Sequence, residues 1–163
     1  MRKIISLFQR NYDTNRLVRN EVVPGAEWVQ RGEGWPTRKF DGTCVLVHNF
    51  RMFKRYTLKR GNTPPDGFIP ATDIDPNTGK QQGWIPVGDG PEDQWYRDAY
   101  TPGLKEGTYE LCGPKVQGNP EGFDHHTLQP HGNFVYEDVP TDFDALKKWL
   151  SVRDIEGIVW HHH

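Results

Sequence analysis

Apolar positions rich in β-branched and aromatic residues gather in short runs at 43–47, 52–58, 107–112, 133–139 and 155–160, with Gly, Pro, Asn and Asp between them. Runs of this length predict β-strands, because an extended chain turns successive side chains to opposite faces. His48-Asn49-Phe50-Arg51 has the length of a hairpin connection, which predicts an antiparallel pair over 43–58. From Gly61 to Gly90 the chain is dense in Pro, Gly, Asp and Asn, and 83–87 is its only apolar island, so a long, partly ordered excursion is predicted over 61–100. Over 141–151 the period changes: Phe143, Leu146, Trp149 and Leu150 recur at helical spacing. Thr141 is the predicted N-cap, Asp142 and Asp144 suit the positive end, and Lys147, Lys148 and Arg153 suit the far end. The pattern as a whole predicts an antiparallel, β-rich α+β chain with one clear helix.

Composition narrows this picture. At 163 residues the chain is long enough for one domain with its own core, and its formal net charge of -2 excludes binding to nucleic acid through bulk positive charge. Cys44 and Cys112 lie in apolar contexts far apart in sequence, so their spacing supports neither a disulfide framework nor a Cys-based zinc site, and a reducing cytoplasm is expected. The N-terminus is basic, but its apolar stretch is too short for an export signal, and no segment reaches transmembrane length. Among the seven histidines, His125-His126 and His161-His162-His163 are adjacent, and neighbours on a strand face opposite ways. Neither run, nor His131 alone, supplies a ready-made ligand pair, and no transition-metal site is expected.

The candidate chemistry begins at Lys39-Phe40-Asp41-Gly42, at the mouth of the apolar run 43–47 and predicted to open a strand. An amine attacks a phosphate only when deprotonated, and an unperturbed lysine titrates at about 10.4. A bound divalent cation and neighbouring cations disfavour the ammonium form. Asp41, two residues along a strand, is expected on the face of Lys39, where it could hold a metal-bound water or a ribose. Gly42 would let the backbone pass close to a ligand. Taken alone, the same four residues also describe an exposed turn with a solvated lysine.

Further segments follow in order: Phe53-Lys54-Arg55-Tyr56, Tyr109-Glu110-Leu111-Cys112-Gly113, the aromatics Phe134 and Tyr136, and Glu156-Gly157-Ile158-Val159. Together with Lys39-Phe40-Asp41-Gly42 they resemble the covalent nucleotidyltransferase superfamily of ATP-dependent RNA and DNA ligases and messenger-RNA capping enzymes. The order of 39–44, 83–87, 118–120, 130–134 and 156–161 is more narrowly similar to the RNA ligase 1 family, which includes the vertebrate 5′-to-3′ RNA ligase. That likeness runs from about residue 35 to the last residue.

The resemblance implies an ATP-grasp-like adenylation domain of the DNA/RNA ligase type. It implies Lys39 as the nucleophile that becomes lysyl-AMP, and Arg38, Asp41, Gly42, Arg55, Glu110 and Phe134 as nucleotide-binding residues. Glu156 and Asp41 are implied as holders of Mg²⁺ or Mn²⁺. AMP would pass from ATP to Lys39 and on to an RNA 5′-phosphate, after which a 3′-hydroxyl displaces it and seals the strand. The implied partners are ATP and RNA ends, with no membrane. The superfamily continues with a lysine-bearing strand, whereas this sequence ends at His163, so 1–163 is expected to be a single adenylation domain lacking that strand. A catalytically incomplete, ligase-like nucleotide- or RNA-binding domain is the alternative, and guanylyl transfer is a third possibility.

Overall fold

A computed structural model describes residues 3–163. In chain order these form β1 (Phe8–Arg10), β2 (Val18–Val22), α1 (Glu27–Gln30), β3 (Trp35–Lys39), β4 (Thr43–His48), β5 (Arg51–Leu58), β6 (Ile69–Pro70) and β7 (Gln81–Pro86). A 3-10 turn (Pro91–Asp93), α2 (Gln94–Ala99), β8 (Gly107–Cys112), β9 (Thr127–Pro130), α3 (Phe143–Ser151) and β10 (Gly157–His161) follow. All strand pairings are antiparallel and the helices are few and short, consistent with the α+β expectation. Among the described residues, no helix is long and apolar enough to cross a membrane. The chain divides into two compact units, one spanning 40–131 and the other joining 3–39 to 132–163.

The 40–131 unit is built on a six-stranded sheet in the order β6-β7-β5-β4-β8-β9. Alternation sorts its two faces. Val45, Val47, Tyr109 and Leu111 point to one side and form the core with Ala99 of α2 and Val116. The intervening positions Cys44, Thr108 and Glu110 therefore share the other face. The predicted hairpin is present, with His48 opposite Arg51 and a two-residue turn at Asn49 (φ 49°) and Phe50 (φ 61°). Left-handed backbone at both central positions matches the twist of the strands, although such turns usually place Gly at the second. Phe50 is 92% exposed there.

The Pro- and Gly-rich stretch is more ordered than its composition suggests: its apolar island is β7, an inner strand between β6 and β5. Lys54 of β5 pins the following turn by an ion pair of 2.6 Å to Asp93, whose other oxygen accepts the Gly88 N–H. Arg97 donates to the carbonyls of Gly88 and Gly90.

In the other unit β1 pairs with β2 and β3 with β10. Thr37 is buried in β3, and its hydroxyl donates to the Val159 carbonyl. α3 matches the predicted helix, but its N-cap is Asp142, which accepts the Ala145 N–H, and not Thr141. Leu146 is buried, Phe143 meets Phe8 edge-on at 5.0 Å, and Trp149 meets Tyr136 at 5.3 Å. The strand predicted over 133–139 does not form. Gly132 and Asp138, both at positive φ, turn the chain at either end. Between them a single bridge, Thr37 to Val135, and two bonds, Arg38 N–H to Phe134 and Tyr136 N–H to Pro36, run along β3.

Candidate functional site

Lys39 is the last residue of β3, where the register sets it opposite Gly157 of β10. Strand pairing thus joins two motifs that are 117 residues apart: Lys39 Nζ donates to Glu156 Oε1 at 2.6 Å. Both side chains keep water access, at 44% and 32% exposure, and an ion pair so placed contributes at most about 1 kcal/mol. The ammonium can therefore leave its partner at little cost. Lys39 also lines a cavity of about 250 Å³ with apolar walls that include Ile4, Trp28, Val29, Ile158 and Trp160. The prediction that Lys39 opens a strand is corrected: it closes β3, and β4 starts only at Thr43.

Beside it, the Arg38 guanidinium lies 5.8 Å from the Phe134 ring, which is itself 5.6 Å from Tyr136. Phe134 is 50% exposed, so it is a surface aromatic and not a member of the core. The terminal histidines are built into the same unit: His161 bonds to the Thr37 hydroxyl and stacks on Trp35, and His162 pairs with Glu33 and packs on Trp28.

The 40–131 unit holds the second group of candidates. Residues 40–42 form a connector and not a strand, so alternation does not put Asp41 on a face with Lys39. The Asp41 N–H donates to Glu121 Oε1 at 2.8 Å. The Gly42 N–H donates to Glu110 Oε1 at 3.2 Å. A Cβ at Gly42 would stand 2.0 Å from the Leu111 carbonyl oxygen, so glycine is required here by clearance from β8.

Glu110, on β8, has a side chain only 15% exposed, and its second oxygen lies 2.8 Å from His131 Nε2. His131 Nδ1 lies in turn 2.9 Å from the Thr108 hydroxyl. Cys44 is the direct cross-strand partner of Glu110. Burial, reinforced by the Glu110 charge and opposed by Arg55, pushes its thiol up to about 11. The Arg55 guanidinium stacks 4.7 Å over Trp84, its cross-strand partner on β7.

Glu121, Thr108 and the polar role of His131 had no signal in the sequence. Thr127–Pro130 is too short and mixed to announce a strand, and only its pairing with β8 delivers His131 to Glu110. Two kinds of donor set could hold a cation. Glu156 offers hard carboxylate oxygens of the kind Mg²⁺ takes, whereas Cys44, Glu110 and His131 converge as a mixed sulfur, oxygen and nitrogen set.

No protein-family model matches the chain. Sequence comparison finds similarity to RNA ligase 1 of Rattus norvegicus and of Mus musculus, each 26% identical over an alignment 201 residues long that takes in 77% of this chain. RNA ligase 1 of Pongo abelii is 24% identical over an alignment 202 residues long, with the same coverage. The chain spans 62% of the length of these curated relatives. The matches support a distant relationship to RNA ligases.

Proposed function

We propose that this chain carries the adenylation chemistry of an ATP-dependent RNA ligase, with Lys39 as the covalent nucleophile on an ATP-grasp-like nucleotidyltransferase framework. The observation that carries the proposal is the 2.6 Å pairing of Lys39 with Glu156, which unites the two motifs on which the chemistry depends. The Glu156 carboxylate holds Nζ as the ammonium, and the reactive amine would form when that carboxylate is drawn away to a bound cation, the proton passing to solvent. The freed Nζ would attack the α-phosphorus of ATP, forming an N–P bond as the bond to the β-phosphate oxygen breaks and pyrophosphate leaves. An RNA 5′-phosphate would then take AMP from Lys39, and a 3′-hydroxyl would displace AMP as the phosphodiester forms.

Nucleotide-contacting roles are assigned within each unit: Arg38 and the exposed ring of Phe134 in one, and Arg55, Glu110, Asp41 and Gly42 in the other. The exposure of Phe134 and the fixed carboxylate of Glu110 support these assignments. Within its own unit, each of Glu156 and Asp41 offers carboxylate oxygens of the kind that Mg²⁺ or Mn²⁺ takes, and a cation bound at either would neutralise charge on the phosphates.

Incubation with α-labelled ATP and Mn²⁺ tests the proposal. An acid-labile AMP adduct that disappears in Lys39→Ala is expected, and no adduct with the wild-type chain would overturn it. Labelling by GTP in place of ATP would assign the chain to guanylyl transfer. With adenylation in hand, a 5′-phosphorylated single-stranded RNA is expected to circularise while the same DNA is not; equal sealing of both would defeat the RNA preference.

A further inference from the structure

We propose that Cys44, Glu110 and His131 form a binding site for a thiophilic divalent cation, with zinc as its fitting occupant. One ligand atom from each lies within 4.8 Å of the other two. The convergence is set by the sheet and not by chance rotamers. Cys44 and Glu110 are direct partners across β4 and β8, and His131 follows β9, where its N–H bonds to the Thr108 carbonyl. Cross-strand partners project to the same face, so β4 and β8 aim sulfur and oxygen at one place, and the bonds of His131 to Thr108 bring its ring nitrogen there. All three residues are partly buried, shielded from bulk water yet reachable by an ion.

The donor set chooses the metal. A thiolate, an imidazole and a carboxylate suit zinc, while Mg²⁺ and Ca²⁺ take oxygen ligands. Three protein ligands also leave the fourth position of a tetrahedron open to water or a ligand group. The widest triangle these atoms can form has its centre about 2.8 Å from each corner, so closing by roughly 0.5 Å at sulfur and roughly 0.7 Å at nitrogen and oxygen reaches zinc bond lengths. Thr108 supplies the outer support. When His131 Nδ1–H donates to the Thr108 hydroxyl, the Nε2 lone pair is presented to the cation, the arrangement that orients metal-binding imidazoles generally. Binding releases the thiol proton to solvent as the sulfur–metal bond forms, and moves the imidazole proton to Nδ1.

In one respect the inference rests on the function proposed above: if Glu110 also serves the nucleotide, zinc and ATP compete for it. Cation binding itself does not depend on that function.

Cobalt(II) added to the full chain is the direct probe, because a cysteine ligand announces itself by a thiolate-to-cobalt charge-transfer band in the near ultraviolet. One cobalt per chain with such a band, bleached by one equivalent of zinc, is expected. Cys44→Ser should abolish the band and Cys112→Ser should keep it. Thr108→Val, which leaves all three ligands in place, should weaken cobalt binding by about 10- to 100-fold. Histidines at the terminus could bind cobalt without sulfur and would give no such band. No thiolate band with the wild type overturns the proposal, as does a band that survives Cys44→Ser or vanishes in Cys112→Ser; circular dichroism of each variant confirms that it is folded. Should Cys44→Ser not fold, His131→Gln decides, because unchanged cobalt affinity there also overturns the site. Zinc should inhibit self-labelling by ATP in the wild type and not in Cys44→Ser, and inhibition persisting in that variant defeats the competition. Absence of any self-labelling would remove the nucleotide function and leave the cobalt spectrum to decide the site.

Discussion

Two lysine–carboxylate pairs in this chain have the same length and opposite surroundings. Lys39–Glu156 and Lys54–Asp93 both close to 2.6 Å. The first is open to water on both sides. In the second, the Lys54 side chain is 23% exposed and that of Asp93 only 3%, with the carboxylate also holding the Gly88 N–H. Distance alone would grade the two as equal. Solvent makes the difference: a screened surface pair contributes little, whereas a buried carboxylate that loses its cation is left uncompensated in a poorly polar interior. Lys54 is therefore committed to holding the 88–97 turn on the sheet, and Lys39 can part from Glu156 at little cost.

The comparison can be broken most sharply at Lys39 itself. Lys39→Ala should eliminate the AMP adduct altogether while shifting the thermal midpoint by no more than about 4 °C, the size of a surface pair. A large loss of stability would show that the pair is structural after all. Lys54→Ala should do the reverse, costing about 3–5 kcal/mol in chemical denaturation and leaving self-labelling of the folded protein intact. Glu110→Ala comes next, since it removes the acceptor of the Gly42 N–H and the partner of His131. A loss of about 1–3 kcal/mol in denaturation is expected, together with weaker ATP binding by calorimetry. The smallest effect, with opposite sign, belongs to Phe50→Gly: relieving left-handed backbone at an exposed aromatic should raise stability by about 1 kcal/mol, read as a higher melting temperature.

Much of the sheet was legible in the order of residues, and the reasons are local. β4, β5, β8 and β10 carry β-branched and aromatic residues in runs, the hairpin has a turn of the right length, and α3 keeps its apolar residues at helical spacing. β3 is hidden because Trp-Pro-Thr-Arg-Lys has no apolar alternation; its buried member is Thr37, whose polarity is answered by the Val159 carbonyl. β2 is hidden because it is almost wholly exposed. The run 133–139 misled in the other direction, since its aromatics meet Arg38 and Trp149 from an irregular segment.

The candidate site divides the same way. Lys39, Arg55, Glu110 and Glu156 stand out by their local motifs, but the partners that fix Glu110 come from pairing registers that no local string contains. Cys44 and His131 illustrate this most clearly: neither spacing nor adjacency hints at a shared site, and three strands bring them to it.

Gly42 carries a consequence for how such proteins are found. A side chain there would collide with the carbonyl of Leu111, so natural selection would keep this glycine even in a descendant that had lost every trace of catalysis. Genome searches keyed to that letter thus recover shared ancestry of the scaffold, and under the function proposed above it is the lysine three positions earlier that would tell working enzymes from retired ones.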